Sequence, residues 1–333
     1  MNAALPAALQ RLRHPAVRDL AFLLYSPAPW TAPSVLPLDR LQGPAAPRLL
    51  ARFDADPAPL LAWLTARPTR RLGHYAEALL GYWFAHAPHC QLAAANVQLR
   101  GEHGPTLGEF DFLLRLDGEP WHVELACKFY LQWEDGRLLG TDPRDAWQRK
   151  ADKLAAQLAL ARRPEAAAVL PEGFDAARSA ARVCGWWFSR DGRPPAEAAP
   201  GALCGWWRRV DEAWPARPGA RWCVLPRLSW LAPAMAQDAA VLEEGALRAA
   251  LRSTHGPALL AELCREEGEW RECARGFVVP EDWPPTPQRP GEGISSSGVW
   301  REVAVCRQTC PPEWMQPEIS SFSACGCSSW MCL

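Results

Sequence analysis

Apolar residues recur at helical spacing through the first quarter of the chain and then switch to alternation. In RRLGHYAEALLGYWFAHAP, Leu72, Ala76, Leu79, Leu80 and Trp83 form one stripe, and Pro88 closes it. Upstream, short helical stretches alternate with proline breaks such as SPAPWTAPSVLPLDR, which predicts helices near Leu5–Leu12, Pro15–Leu24 and Pro47–Leu64. Downstream, LAAANVQLR reads as a strand. In GEFDFLLRL, Phe110, Phe112, Leu114 and Leu116 fall on one face and Glu109, Asp111, Leu113 and Arg115 on the other. In WHVELACKFYL, Val123, Leu125, Cys127 and Phe129 alternate with His122, Glu124, Ala126 and Lys128.

The tetrapeptide DGEP, Asp117–Pro120, separates these two runs and predicts an antiparallel hairpin. A four-residue loop there sets Leu116 opposite Trp121 and Asp111 across from Ala126. Glu124 and Lys128 are then diagonal neighbours of Asp111 on the same face, within ~7–8 Å at the backbone. Two acids and an amine on an inward face are an odd stabilising device, because buried ion pairs return little more than their desolvation costs. Chemistry is the better reason for them.

Beyond a loop at Trp133–Asp142, the spacing predicts a helix over Arg144–Arg163, with Trp147, Ala151, Leu154 and Leu158 as its buried stripe and Lys150, Lys153 and Gln157 as a polar line. VCGWWF and LCGWWRRV read as related strands in which one tryptophan of each pair, Trp186/Trp187 and Trp206/Trp207, belongs to the core. RWCVLPRL is a further strand, Glu243–Glu266 reads as largely helical, and GFVVPEDWP reads as the end of a domain. These elements predict one α/β domain over 1–284: a helical lead-in at 1–68, a core at 69–163, and additional strands and helices at 164–284. From 285 to 333 the sequence loses periodicity and becomes rich in Ser, Pro and Cys. Cys306, Cys310, Cys325 and Cys327 there match paired zinc knuckles poorly, and a disordered or out-of-frame extension with no evolved role is the better reading.

Composition changes this picture little. At 333 residues, with 49% hydrophobic and 22% charged residues, the chain is long enough for a sizeable core. A formal net charge of −1 supplies no global basic field, so any nucleic-acid contact must be local. No run reaches the ~18 apolar residues of a spanning helix. The first residues, MNAALPAALQRLRHPAVRDL, lack a secretory pattern, and the cytoplasm is the expected location. Seven cysteines scattered singly beside apolar neighbours, among them Cys127 and Cys184, fit reduced core thiols.

Phosphodiester hydrolysis requires an activated water and neutralisation of charge growing on phosphate. Two carboxylates holding a divalent cation supply both, and a nearby lysine orients the water. Asp111, Glu124 and Lys128 are those residue types on one predicted face. Glu77 lies on the preceding helix between Gly73 and Gly81, a bare strip that would let the helix approach the sheet closely. The sequence LGHYAEALLGYWF, then TLGEFDFLLR, then WHVELACKFYL, then a basic helix resembles the core of the PD-(D/E)XK, restriction-endonuclease-like, nuclease superfamily. It also looks like a bacterial domain-of-unknown-function family placed in that superfamily. The resemblance spans Leu72–Lys153 and, more loosely, the chain to Trp283. It implies a mixed central sheet flanked by helices, magnesium held by Asp111 and Glu124, Lys128 as catalytic lysine, Glu77 as an auxiliary acid, and Lys150, Lys153 and Gln157 on a DNA or RNA backbone. Two positions depart from the pattern. Ala126 stands where the superfamily has its lysine, with Lys128 four residues after Glu124, and Phe110 precedes Asp111 in place of proline. Glu109, on the face of Asp111, reads as a strand-entry charge, with a ligand role the alternative, and His122, on the face of Glu124, reads as a satisfied strand histidine, with assistance at the site the alternative. A non-catalytic descendant that binds nucleic acid or protein is the alternative function.

Overall fold

The computed structural model describes residues 10–101, 104–252, 254 and 256–284. The expectations for Leu5–Gln10 and for the 285–333 tail therefore lie largely or wholly outside the described residues; Gln10–Leu12 are not helical. The chain opens with α1 (Pro15–Tyr25), α2 (Leu38–Gln42), α3 (Ala46–Ala55), α4 (Ala58–Thr65) and α5 (Leu72–His86). Three long strands follow, β1 (Cys90–Arg100), β2 (Thr106–Leu116) and β3 (Glu119–Gln132), then the short β4 (Leu138–Leu139) and α6 (Trp147–Leu158). The remainder is β5 (Arg178–Ser189), β6 (Cys204–Arg209), β7 (Arg221–Leu225), β8 (Met235–Ala236), α7 (Glu244–Leu251), β9 (Ala258–Glu266) and β10 (Glu269–Val279).

All the strands join one mixed sheet in the order β1-β2-β3-β5-β6-β10-β9-β7, with β4 beside β3 and β8 beside β10. Pairing is antiparallel through β1, β2 and β3, parallel from β3 through β5 and β6 to β10, and antiparallel again to β9 and β7. Both faces are covered. The lead-in helices and α5 pack on one side with Phe112, Leu125, Cys184 and Phe188, while α6 and Trp30 cover Ala126, Tyr130, Val183 and Trp187 on the other. This cover corrects the tryptophan expectation: Trp186, Trp187, Trp206 and Trp207 are all buried, alternate residues facing opposite layers. No helix among the described residues is long and apolar enough to cross a membrane.

Proline and turn chemistry account for the shifted helix boundaries. The stretch Pro47–Leu64 is two helices, broken where Pro57 holds Asp56 at φ −135°, ψ 86°, outside the helical region. The helix expected at Arg144–Arg163 begins only at Trp147, after Asp142 accepts the Arg144 backbone N–H at 3.0 Å, and it loosens into 3₁₀ turns before and after Pro164. Glu243–Glu266 is half helix and half strand. Gly256 and Pro257 separate α7 from β9, whose Leu259, Ala261 and Leu263 face one layer and Leu260 the other.

Candidate active site

The β2–β3 hairpin turns on two residues rather than four. Asp117 and Gly118 take φ of 49° and 84°, the left-handed pair of a type I′ turn, and Leu116 pairs with Glu119. Relative to the expected register this is a slip of two, which keeps Phe112–Leu116 on their expected faces. It also corrects the neighbour of Asp111, which now stands one step beyond the Phe112–Val123 pair, beside Glu124 rather than Ala126. The ladder stops at Phe112–Val123. Beyond it β2 continues on β1 while β3 continues on β5 as far as Leu131, so the two strands fork with Asp111 and Glu124 at the base.

Carboxylates take over where the ladder ends. Asp111 Oδ2 accepts the backbone N–H of Leu125 at 2.8 Å, and Glu124 Oε1 lies 3.5 Å from the Asp111 N–H. Asn96, on β1 between the Ala95–Phe112 and Val97–Phe110 pairs, adopts φ 54°. Alternation fails here: Phe110 joins Leu113 and Leu99 in one cluster while Phe112 faces the opposite layer, which corrects the expected Phe110–Phe112 face. Both acids are buried, Asp111 at 9% exposure and Glu124 at 1%. Burial first, and then the charge of Glu124, push the Asp111 carboxyl up to about 8, with Glu77 adding to the shift and the Leu125 N–H and Lys150 opposing it.

Glu124 is held from one side. Its Oε1 accepts from His122 Nε2 at 2.7 Å, and His122 Nδ1 lies 3.2 Å from Ser179 Oγ on β5. This chain fixes the orientation of the imidazole between Glu124 and Ser179. The other oxygen, Glu124 Oε2, is buried without a hydrogen-bond partner.

Beside the fork, where β3 runs on past Glu124, is a cleft of about 440 Å³ lined by Leu125, Lys128, Arg70, Arg71, His74, Glu77 and Lys150, with Arg227 and residues of the Gly140–Asp145 loop; Asp111 and Glu124 themselves lie behind this lining. Lys128 is ion-paired with Asp145, whose Oδ1 also accepts from Tyr130 Oη at 3.3 Å. Lys150 is half-buried on the first turn of α6, and burial, then Lys128, lower its proton affinity while Asp111 and Glu124 raise it. Burial raises the Glu77 carboxyl against a hydrogen bond from Asn96 and the charges of His74 and Lys150. The flanking glycines do not create that proximity: a Cβ on Gly73 would meet nothing within 4 Å, and one on Gly81 would make ordinary contacts of 3.6 and 3.7 Å.

Of the residues singled out by pattern, Asp111 and Glu124 meet at the fork, and Glu77, Lys128 and Lys150 line the cleft. Lys153 is exposed and Gln157 half-buried with Oε1 lacking a partner; neither lines the cleft. Glu109 lies 3.4 Å from Asn96 Nδ2. Pattern reading missed Asp145, Tyr130 and Ser179, which act through contacts that no spacing encodes. The Arg70–Arg71 pair just before α5 was the one legible sign of a cationic rim.

Among the described residues no three His, Cys, Asp or Glu side chains are arranged to hold a metal ion. The pair Asp111–Glu124 nonetheless suits magnesium, which takes one or two carboxylates and keeps most of its waters. The partnerless Glu124 Oε2 and the repulsion between the two acids are what a cation would relieve. A family model described as a domain of unknown function (DUF1853) matches residues 18–279. No curated protein and no solved structure matches the chain.

Proposed function

The chain belongs to the DUF1853 family, and from that premise we propose that its strand fork is the active site of a magnesium-dependent phosphodiesterase acting on nucleic acid, within a restriction-endonuclease-like core. One observation carries this reading: two buried acids meet where β2 leaves β3, next to a cationic cleft whose lining residues Glu77 and Lys150 interact electrostatically with Asp111. The succession α5, β1, β2, β3, α6 and β5 supports it, being the order of elements that the resemblance implies, with Glu77 and Lys150 arriving from the two flanking helices.

Asp111 and Glu124 are the ligands, and His122, backed by Ser179, presents Glu124 to the ion. Magnesium bound there supplies charge neutralisation at phosphate and a more acidic water. Lys150 lines the cleft with its proton affinity raised by the charges of both acids, and it orients the attacking water and the phosphate. Lys128, tied to Asp145, holds the Gly140–Asp145 loop against the cleft. Arg70, Arg71 and Arg227 take the flanking phosphates.

A magnesium titration against fluorescent DNA and RNA substrates tests the proposal with wild type, Asp111→Ala, Lys128→Ala and Lys150→Ala. Cleavage lost in Asp111→Ala and reduced at least a hundredfold in Lys150→Ala is the expected result. Cleavage that persists in Asp111→Ala places the site elsewhere. The pairing of Lys128 with Asp145, together with Ala126 two residues after Glu124, favours a second reading, a cleft that binds nucleic acid without cutting it. Binding by wild type with neither cleavage nor magnesium uptake selects that reading.

A further inference from the structure

The wall of the cleft holds two sulfurs that the proposed hydrolysis does not use. Cys127 on β3 and Cys184 on β5 are directly opposed in the parallel register, so both side chains leave the same face of the sheet. Cys127 is half-buried and lines the cleft, whereas Cys184 is fully buried. The Cys127 thiol donates to the Cys184 sulfur.

Arg182, two residues before Cys184, is 1% exposed. Its guanidinium donates to Leu23 O at 2.6 Å, to Ser26 O and Oγ at 2.8 Å each, and to Val183 O. Among the described residues no carboxylate pairs with it; the groups that raise its proton affinity are the two thiols. A buried cation without a carboxylate is an expensive feature to keep for packing alone. The hydrogen bond from Cys127 and then the Arg182 charge draw the Cys184 thiol down, while that same hydrogen bond and burial push Cys127 up. The pair thus gives up its first proton from Cys184. Gly185 tightens the same spot: at φ +136° a Cβ built on it would lie 1.7 Å from the Lys128 carbonyl oxygen.

We propose that Cys127 and Cys184 form a dithiol that hydroperoxides oxidise to a disulfide bridging β3 and β5 at the wall of the cleft. Cys127, the member of the pair that lines the cleft, attacks the distal peroxide oxygen as its proton passes to the Cys184 thiolate. The O–O bond breaks, and the leaving alkoxide, or hydroxide from hydrogen peroxide, takes from solvent the proton that Cys184 had released, departs as alcohol or water, and leaves Cys127 as a sulfenic acid. Cys184 then attacks the Cys127 sulfur and the hydroxyl leaves with the Cys184 proton as water. Two thiols are oxidised and one peroxide is reduced. Neighbouring strands ~4.8 Å apart place opposed Cα atoms within the ~4.4–6.8 Å of disulfides. Bringing the Cβ atoms to bonding range pulls Cys127, and Lys128 beside it, toward β5. Any effect on cleavage rests on the phosphodiesterase reading; the disulfide itself does not.

The test uses the full chain with Cys264 and Cys273 changed to serine, because Cys264 and Cys273 are a second thiol pair on adjacent strands. Reduced protein is treated with a few equivalents of hydrogen peroxide, alkylated and mapped by mass spectrometry. A Cys127–Cys184 linked peptide, lost on reduction and absent from Cys127→Ser and Cys184→Ser, is the expected product. Arg182→Lys keeps a charge at that position and should retain the crosslink with at least a fivefold slower rate at pH 7. Stable sulfinic or sulfonic acid on Cys127 without the crosslink, or no oxidation of either sulfur, overturns the proposal. Nuclease activity is read on the same samples. Crosslink without cleavage in either redox state defeats the hydrolytic reading alone, and cleavage without crosslink defeats the dithiol alone.

Discussion

Leu125 gives its backbone N–H to Asp111 Oδ2 at 2.8 Å, at the step where a continuing ladder would have offered a carbonyl. A side chain thus closes the hairpin while the backbones part. Because the accepted bond needs only an oxygen, Asp111→Asn should keep it and remove the repulsion with Glu124. The metal-free variant is expected to be more stable than wild type at pH 8, on the order of 2 kcal/mol, by urea denaturation, and to lose magnesium binding in calorimetry. A destabilised variant that still binds magnesium would show that Asp111 serves the fold alone.

The pH dependence of stability has a definite sign. In the folded protein the Asp111 carboxyl keeps its proton up to about 8, whereas unfolded it releases near ~3.9. Between those values the folded state binds more protons, so stability should fall as pH rises from ~4 toward 8. Asp19, fully enclosed and raised to about 6 by burial, contributes in the same direction but is finished near pH 7. Metal-free wild type is therefore expected to lose stability between pH 6.5 and 8.5, and Asp111→Asn to be nearly flat there. Added magnesium should restore more at the higher pH, since the ion binds the deprotonated pair.

How much of this was legible in sequence depends on the range of the interaction. Alternation placed β2 and β3, and the Asp-Gly turn joined them, because side-chain period and turn geometry are local. The two acids meet although the loop is two residues shorter than the turn signal implies, since a slip of two leaves the paired residues on their faces. The α7–β9 segment misled because ALLAELCREE satisfies a helical period as well as a strand buried on both sides. Asp145 was invisible for a different reason. It lies in a loop, seventeen residues from Lys128, and only the late start of α6 turns it toward the cleft.

Gly118 sits at the second position of the hairpin turn, with φ 84°. A Cβ there would touch nothing within 4 Å, so the cost of Gly118→Ala is conformational alone. It should destabilise by about 1–2 kcal/mol in urea denaturation. Leu116 and Trp121 are buried and pin the register, so magnesium affinity should not change. A shift in magnesium affinity larger than threefold would mean that the turn, rather than the core, sets the alignment of Asp111 with Glu124.

The Lys128–Asp145 pair is only partly shielded, with side chains 28% and 36% exposed. Asp145→Asn should therefore cost less than ~1 kcal/mol of stability. It leaves the Lys128 ammonium facing the cleft without its carboxylate, and Tyr130 keeps an oxygen to donate to. If phosphates enter this cleft, the variant binds a single-stranded fluorescent oligonucleotide more tightly than wild type at low salt. The slope of log affinity against log salt steepens by about 0.7, the value for one more phosphate contact on a single strand. Lys128→Met should move the slope far less, because in wild type that charge is already answered by Asp145. Fluorescence anisotropy across a salt series without magnesium separates the two variants. Equal slopes in wild type and Asp145→Asn would mean that the phosphate backbone passes Lys128 by.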